Sequence, residues 1–163
     1  MMSIYDFAMQ MELDGKAYYE DLAAKTDLPQ LKKVLLEMAS DEQKHYNLFK
    51  AMKDGEPAGY DAEQATTIFD SVKNVFEQLK ESGDEFSGVG VVRDGWAKAR
   101  EVEKKAEDFY RQKADEVDDP NQKQILLKIA DEEHKHWTVI DHVISFLDQP
   151  GSWLENAEWG DLG

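Results

Sequence analysis

The sequence contains no cysteine, which excludes disulfides, zinc ribbons, rubredoxin-type iron sites and thiol nucleophiles within its 163 residues. Proline is scarce. Two of the four, Pro29 and Pro120, stand where long periodic segments begin. No run approaches the roughly 20 apolar residues of a membrane span. The opening MMSIYDFAMQ lacks a basic stretch followed by a long apolar one, so no signal peptide is expected and the cytoplasm is the expected location. Positive charge is also short, with 19 Lys and Arg against 35 Asp and Glu and a net charge of −16. That balance argues against nucleic acid and anionic membranes as partners. Most of the acid is expected to be a solvated face.

What is present is helical periodicity. Four long segments carry it, near 3–25, 30–53, 94–117 and 120–148. The connections KTDLPQ and DDPNQ are short, each with a proline suited to a first helical turn and an acidic residue expected as N-cap. Short connections make antiparallel neighbours. The crossover 54–93 is long. Within it, AEQATTIFDSVKNVFEQLKE has its own apolar face and predicts a fifth helix near 62–81, its stripe to be covered by the bundle or by a second subunit. The stretch GVGVV reads as linker. The expected fold is all-α: one domain, 1–163, with a four-helix bundle over about 3–148. The tail 150–163 is expected to fold back, since Trp153, Leu154 and Trp159 are apolar for so short a stretch.

The chain repeats itself. Glu12, Glu42 and His45 recur as Glu103, Glu133 and His136 at an offset of 91 positions, as do Pro29, Tyr19 and Ala39 as Pro120, Tyr110 and Ala130. Along each long helix an alternating three–four spacing marks the bundle-facing stripe. It runs through Tyr5, Ala8, Glu12, Gly15, Tyr19 and Leu22 in the first helix. In the second it runs through Leu35, Met38, Glu42, His45, Phe49 and Met52. In the third it reaches Trp96, Ala99, Glu103, Ala106, Tyr110 and Lys113, and in the fourth Leu126, Ile129, Glu133, His136, Ile140 and Val143. Each stripe holds a glutamate near its middle, and two carry a histidine one turn later. Glu12 lies about as far before its turn as Glu42 lies after it, and the same holds for Glu103 and Glu133. In antiparallel hairpins all six groups come out level.

An apolar core does not hold four bare carboxylates, since each unpaired buried charge costs several kcal/mol. No lysine sits at comparable height on a stripe. Two divalent cations would neutralise the four carboxylates and leave the imidazoles as neutral ligands. Glutamate from two helices plus Glu-x-x-His from two others is the arrangement of di-iron and di-manganese carboxylate bundles. The expected cofactor is therefore two metal ions, with iron, manganese and zinc all compatible with this ligand set. No other cofactor-binding residues are expected. His134 is expected to face solvent and His142 to be an ordinary helix residue. Met9, Met38 and Met52 are expected as core filler. Tyr19 and Tyr110 are either plain aromatics of the stripe or donors to a ligand carboxylate. Asp41 and Glu132, one turn before the histidines, are expected at the surface, with orientation of an imidazole as the alternative.

MELDGKAYYEDLA followed by MASDEQKH, and EKKAEDFYRQKA followed by IADEEHKH, resemble the rubrerythrin-like branch of the ferritin-like di-iron superfamily, over residues 3 to about 148. The tail GSWLENAEW is also similar to tails in that branch. The resemblance implies an iron pair held by Glu12, Glu42, His45, Glu103, Glu133 and His136, with Glu42 and Glu133 as bridges. It implies an oxidoreductase that reduces hydrogen peroxide. Since these residues hold no rubredoxin-type site, electrons would come from a separate donor such as a rubredoxin-like protein. Rubrerythrins carry one more iron-binding glutamate a turn after the third-helix ligand; here that position is Ala106, matching Gly15 in the first half. Two other readings stay open: an iron-binding or ferroxidase-type protein using dioxygen, and a non-catalytic metal-binding bundle. A homodimer is expected, as twofold association is the commonest.

Overall fold

The computed structural model describes residues 3–61, 64–82 and 90–148. Among them are five helices and no strand. Helices α1 (Ile4–Ala24) and α2 (Pro29–Lys53) form one hairpin, and α4 (Gly90–Glu116) and α5 (Pro120–Asp148) form the other. Helix α3 (Ile68–Ser82) belongs to the crossover and packs on α2 and α5. The all-α bundle of two hairpins joined by a helical crossover is thus as the periodicity predicts.

Local signals account for the starts. Ser3 caps α1 in a reciprocal box with Asp6, satisfying donors that the first turn leaves free. Pro29 and Pro120 open α2 and α5, where a missing N–H costs nothing. Asp119 accepts from the backbone of Asn121 and Gln122 at 2.8 and 3.1 Å, as an N-cap should. The expected acidic cap of α2 is absent. Leu28 occupies that position without a side-chain bond, which leaves Asp27 one residue too early.

Two boundaries differ from expectation. Helix α4 starts at Gly90, four residues before the expected start, so the last part of GVGVV is helix rather than linker. A glycine penalises a helix mainly in its interior, and here it stands first. Arg93, in that first turn, makes a two-pronged ion pair with Asp148 at the end of α5, which fastens the added turn. Helix α3 starts at Ile68, not near 62. Residues 64–67 are turn and loop because Thr66 and Thr67 spend their hydroxyls on Asp41 and Glu37, and the Thr66 hydroxyl also accepts from Ile68 N. The expected backfolding tail, with Trp153, Leu154 and Trp159, lies outside the described residues.

The stripes are buried as drawn except at two ends: Tyr5 at the start of α1 is partly exposed, and at the end of α4 Lys113 is partly exposed while Ala114 takes the buried place. The apolar face of α3 (Ile68, Val72, Val75, Phe76, Leu79) is buried within the same chain. The core divides into two apolar clusters. One holds Tyr19, Leu35, Met38, Trp96 and Val143; the other holds Phe49, Met52, Tyr110, Ile125 and Ile129. Glu12, Glu42, His45, Glu103, Glu133 and His136 form a polar layer that belongs to neither.

Candidate metal centre

All six residues are buried, none more than 3% exposed. They form two groups that could each hold an ion: Glu12, Glu42, His45 and Glu133, and Glu42, Glu103, Glu133 and His136. Within each group one ligand atom per residue lies within 4.8 Å of every other. Glu42 and Glu133 belong to both. Two carboxylates shared between two four-membered sets suit a pair of adjacent cations, since each oxygen can face a different ion.

The polar atoms support that reading. Glu12 Oε2, Glu42 Oε1, His45 Nδ1, Glu103 Oε2 and Glu133 Oε1 are buried without a hydrogen-bond partner. Orphaned buried polar atoms are rare in folded proteins. Five in one layer, all oxygen or imidazole nitrogen, fit hard or borderline divalent cations. No lysine or arginine pairs with the six among the described residues.

Each histidine is turned by a carboxylate from the other hairpin. His45 Nε2 lies 2.8 Å from Glu132 Oε1, and His136 Nε2 lies 2.9 Å from Asp41 Oδ2. With each Nε2–H donating to its carboxylate, it is Nδ1 of the neutral imidazole that presents a lone pair to the layer. His45 Nδ1 is 3.1 Å from Glu133 and 3.4 Å from Glu12; His136 Nδ1 is 3.2 Å from Glu42 and 3.3 Å from Glu103. Asp41 and Glu132 are therefore buried, at 3% and 1% exposure, and their expected surface position is corrected. A helix shows the stripe its own sequence faces. Asp41 and Glu132 lie beside that stripe, and they are covered because α2, α5 and the crossover meet there.

The tyrosines cross over in the same way. Tyr110 donates to Glu12 Oε1 at 2.7 Å, and Tyr19 donates to Glu103 Oε1. Burial, then the charges of Glu103 or Glu12, push both phenols well above their ordinary range, so both remain donors. Of the two readings of these tyrosines, the hydrogen-bonded one holds. His134 is exposed, as expected, and is bonded to Glu107 at 2.9 Å.

Electrostatics of the protein alone show the strain of four carboxylates together. Burial and the neighbouring carboxylates hold Glu42 and Glu133 well above the usual carboxylate range. Burial opposes charge on His45 and His136, but the surrounding carboxylates outweigh it and push both up. Glu12 goes the other way, because His45 and the bonds it accepts outweigh burial.

The layer has one covered side and one open side. Towards α2 and α5, Thr66 and Tyr60 of the crossover lie over Asp41 and Glu132. Towards α1 and α4 a cavity of about 310 Å³ reaches Glu12, Glu42, Glu103 and Glu133, between walls that include Met11, Tyr18, Val102 and Ala106. Gly15 lines it too, and a Cβ there would stand 3.0 Å from Glu42 Oε2, which explains a glycine within the stripe. Tyr60 and Thr66 were not legible as site residues. They lie on a loop and have no counterpart in the repeat. The 91-residue offset does link Asp41 to Glu132, and it was the one signal available for that pair.

No curated protein and no solved structure matches the chain. A family model does: the one described as Rubrerythrin matches residues 4–143, a span that contains all six clustered residues, and the chain belongs to the rubrerythrin family.

Proposed function

We propose that the chain binds two iron ions through Glu12, Glu42, His45, Glu103, Glu133 and His136 and reduces hydrogen peroxide to water. The overall change is H2O2 + 2 e⁻ + 2 H⁺ → 2 H2O, with the electrons supplied by a separate donor such as a rubredoxin-like protein. The observation that carries this reading is the cavity between α1 and α4 whose floor is the four carboxylates. Structural metal sites are closed, whereas catalytic ones keep a position open to a reactant.

Bound, the metal pair supplies two electrons and Lewis acidity for cleavage of the O–O bond. The chain supplies the rest. Glu42 and Glu133 would be common to both positions, and Glu12 with His45 and Glu103 with His136 would complete one position each. Tyr110 and Tyr19 hold their protons at the phenol oxygen and keep Glu12 and Glu103 turned into the layer. The apolar clusters above and below exclude water from those two sides of the carboxylates.

Stopped-flow mixing of anaerobic ferrous protein with hydrogen peroxide and, separately, with dioxygen tests the assignment. Faster oxidation by peroxide supports it. Equal or faster oxidation by dioxygen replaces it with a ferroxidase-type reaction. We further propose a homodimer, supported by the commonness of twofold association, and a cytoplasmic location. No described helix is long and apolar enough to cross a membrane. A monomer in sedimentation at micromolar concentration would remove the dimer.

A further inference from the structure

The described part of the segment between α2 and α3 holds both carboxylates that hold the histidines. Thr66 Oγ1 donates to Asp41 Oδ2, the same oxygen that takes the Nε2–H of His136. The Thr66 backbone N–H donates to Glu132 Oε2 at 3.0 Å, and the Tyr60 hydroxyl donates to that oxygen as well. The other oxygen of Glu132 takes the Nε2–H of His45.

We propose that Thr66 is a positioning residue for both histidines at once, acting on His136 through Asp41 and on His45 through Glu132, with Tyr60 as a second clamp on Glu132. The inference rests on the di-metal reading of the layer. Its physical basis is direction. A carboxylate free to rotate swings its accepting oxygen out of line with the imidazole N–H, and such a bond weakens steeply as its angle closes. Glu132 has both oxygens engaged, so its plane is set. Asp41 has its Oδ2 shared between the imidazole and the Thr66 hydroxyl. That hydroxyl is itself fixed, since it accepts from Ile68 N at 3.2 Å while donating to Asp41.

The repeat sharpens the point. The two halves of the chain are twins in ligands, tyrosines and histidine-holding carboxylates. The crossover residues are not duplicated: 91 positions after Tyr60 and Thr66 stand Gly151 and Ala157. One strap thus serves two equivalent sites, and a disturbance at Thr66 reaches both histidines.

The test uses the full chain with cobalt(II) ions as probe. Binding is followed by competition with a chelator, and the exchangeable imidazole N–H signals of the cobalt-loaded protein by proton NMR. Thr66→Val removes the hydroxyl and keeps the backbone N–H. It is expected to weaken binding at the His136 group roughly 10- to 100-fold and to shift or broaden the His136 N–H signal, with a smaller change for His45. Tyr60→Phe is expected to affect the His45 group first. Thr66→Ser should restore wild-type behaviour, and Thr67→Val, whose hydroxyl reaches Glu37 instead, should leave it unchanged. Unaltered affinity and signals in Thr66→Val, with two cobalt ions bound by the wild type, would overturn the positioning role alone. So would a Thr66→Ser variant as impaired as Thr66→Val. A wild type that takes up fewer than two cobalt ions would overturn the di-metal reading and this inference with it.

Discussion

Glu132 of α5 holds the Nε2 of His45, a residue of α2, at 2.8 Å. The pairing is crosswise, and Asp41 of α2 returns it to His136 of α5 at 2.9 Å. Tyr110 and Tyr19 cross the other way, from α4 to Glu12 of α1 and from α1 to Glu103 of α4. Neither hairpin therefore contains a finished half-site. Each supplies three ligands of one group, shares one of them with the other group, and provides hydrogen bonds that orient ligands in that other group.

Shared ligands predict an uneven response to truncation. Glu42→Ala and Glu133→Ala each remove a residue common to both groups and are expected to abolish binding of the pair, and with it oxidation by peroxide. Glu12→Ala and Glu103→Ala each touch one group and should leave about one metal per chain where the wild type holds about two. Elemental analysis of protein purified without added metal checks both.

The tyrosine bonds predict a loss of affinity without a loss of fold. Tyr110→Phe leaves the ring packed near Phe49 but removes the donor to Glu12. Metal affinity is expected to fall roughly 10-fold or more, by analogy with other residues that orient ligands, while the helical circular dichroism is retained. Chelator competition measures the first and far-ultraviolet spectra the second.

Stability should depend on pH in a way that metal reverses. His45 and His136 have raised values in the metal-free fold, so they contribute stability that is complete below about 6.5 and is lost as pH rises through their folded values. Glu42 and Glu133 are also raised, and act in the same direction. Metal takes the deprotonated forms of all four and displaces the protons. The gain in melting temperature on adding metal is therefore expected to grow from pH 6 to pH 9. A gain that shrinks with pH would contradict the assignment.

The cavity predicts separation of binding from reaction. Ala106 lies on its wall beside Glu103, and Ala106→Leu would narrow it. Metal content should stay at the wild-type level, while oxidation of the ferrous protein by peroxide slows roughly tenfold or more, as approach geometry is lost. Stopped-flow absorbance and elemental analysis on the same sample decide it.

Much of this protein can be read along the chain. The stripe through Glu12, Glu42, Glu103 and Glu133 follows from a three–four spacing, and the level of the six groups follows from equal distances to two short turns. Both are properties of a helix and a hairpin, and both are local. The repeat at 91 positions then points to two like halves. The start of α4 was less legible, because Gly90 reads as linker until Arg93 meets Asp148, 55 residues away.

Sequence alone thus determined which residues face inward and at what height. The tertiary structure decided which of them touch. Spacing along a helix assigns a side chain to a face, but a hydrogen bond between helices depends on which helix stands beside it. Asp41 and Glu132 carry no mark of burial in their own helices, and only the passage of the crossover across α2 and α5 puts Thr66 and Tyr60 over them. The same passage covers one side of the polar layer and leaves the cavity on the α1 and α4 side as its approach. That choice of side comes from where the connection between α2 and α4 packs, a matter of long-range contact that no periodicity encodes.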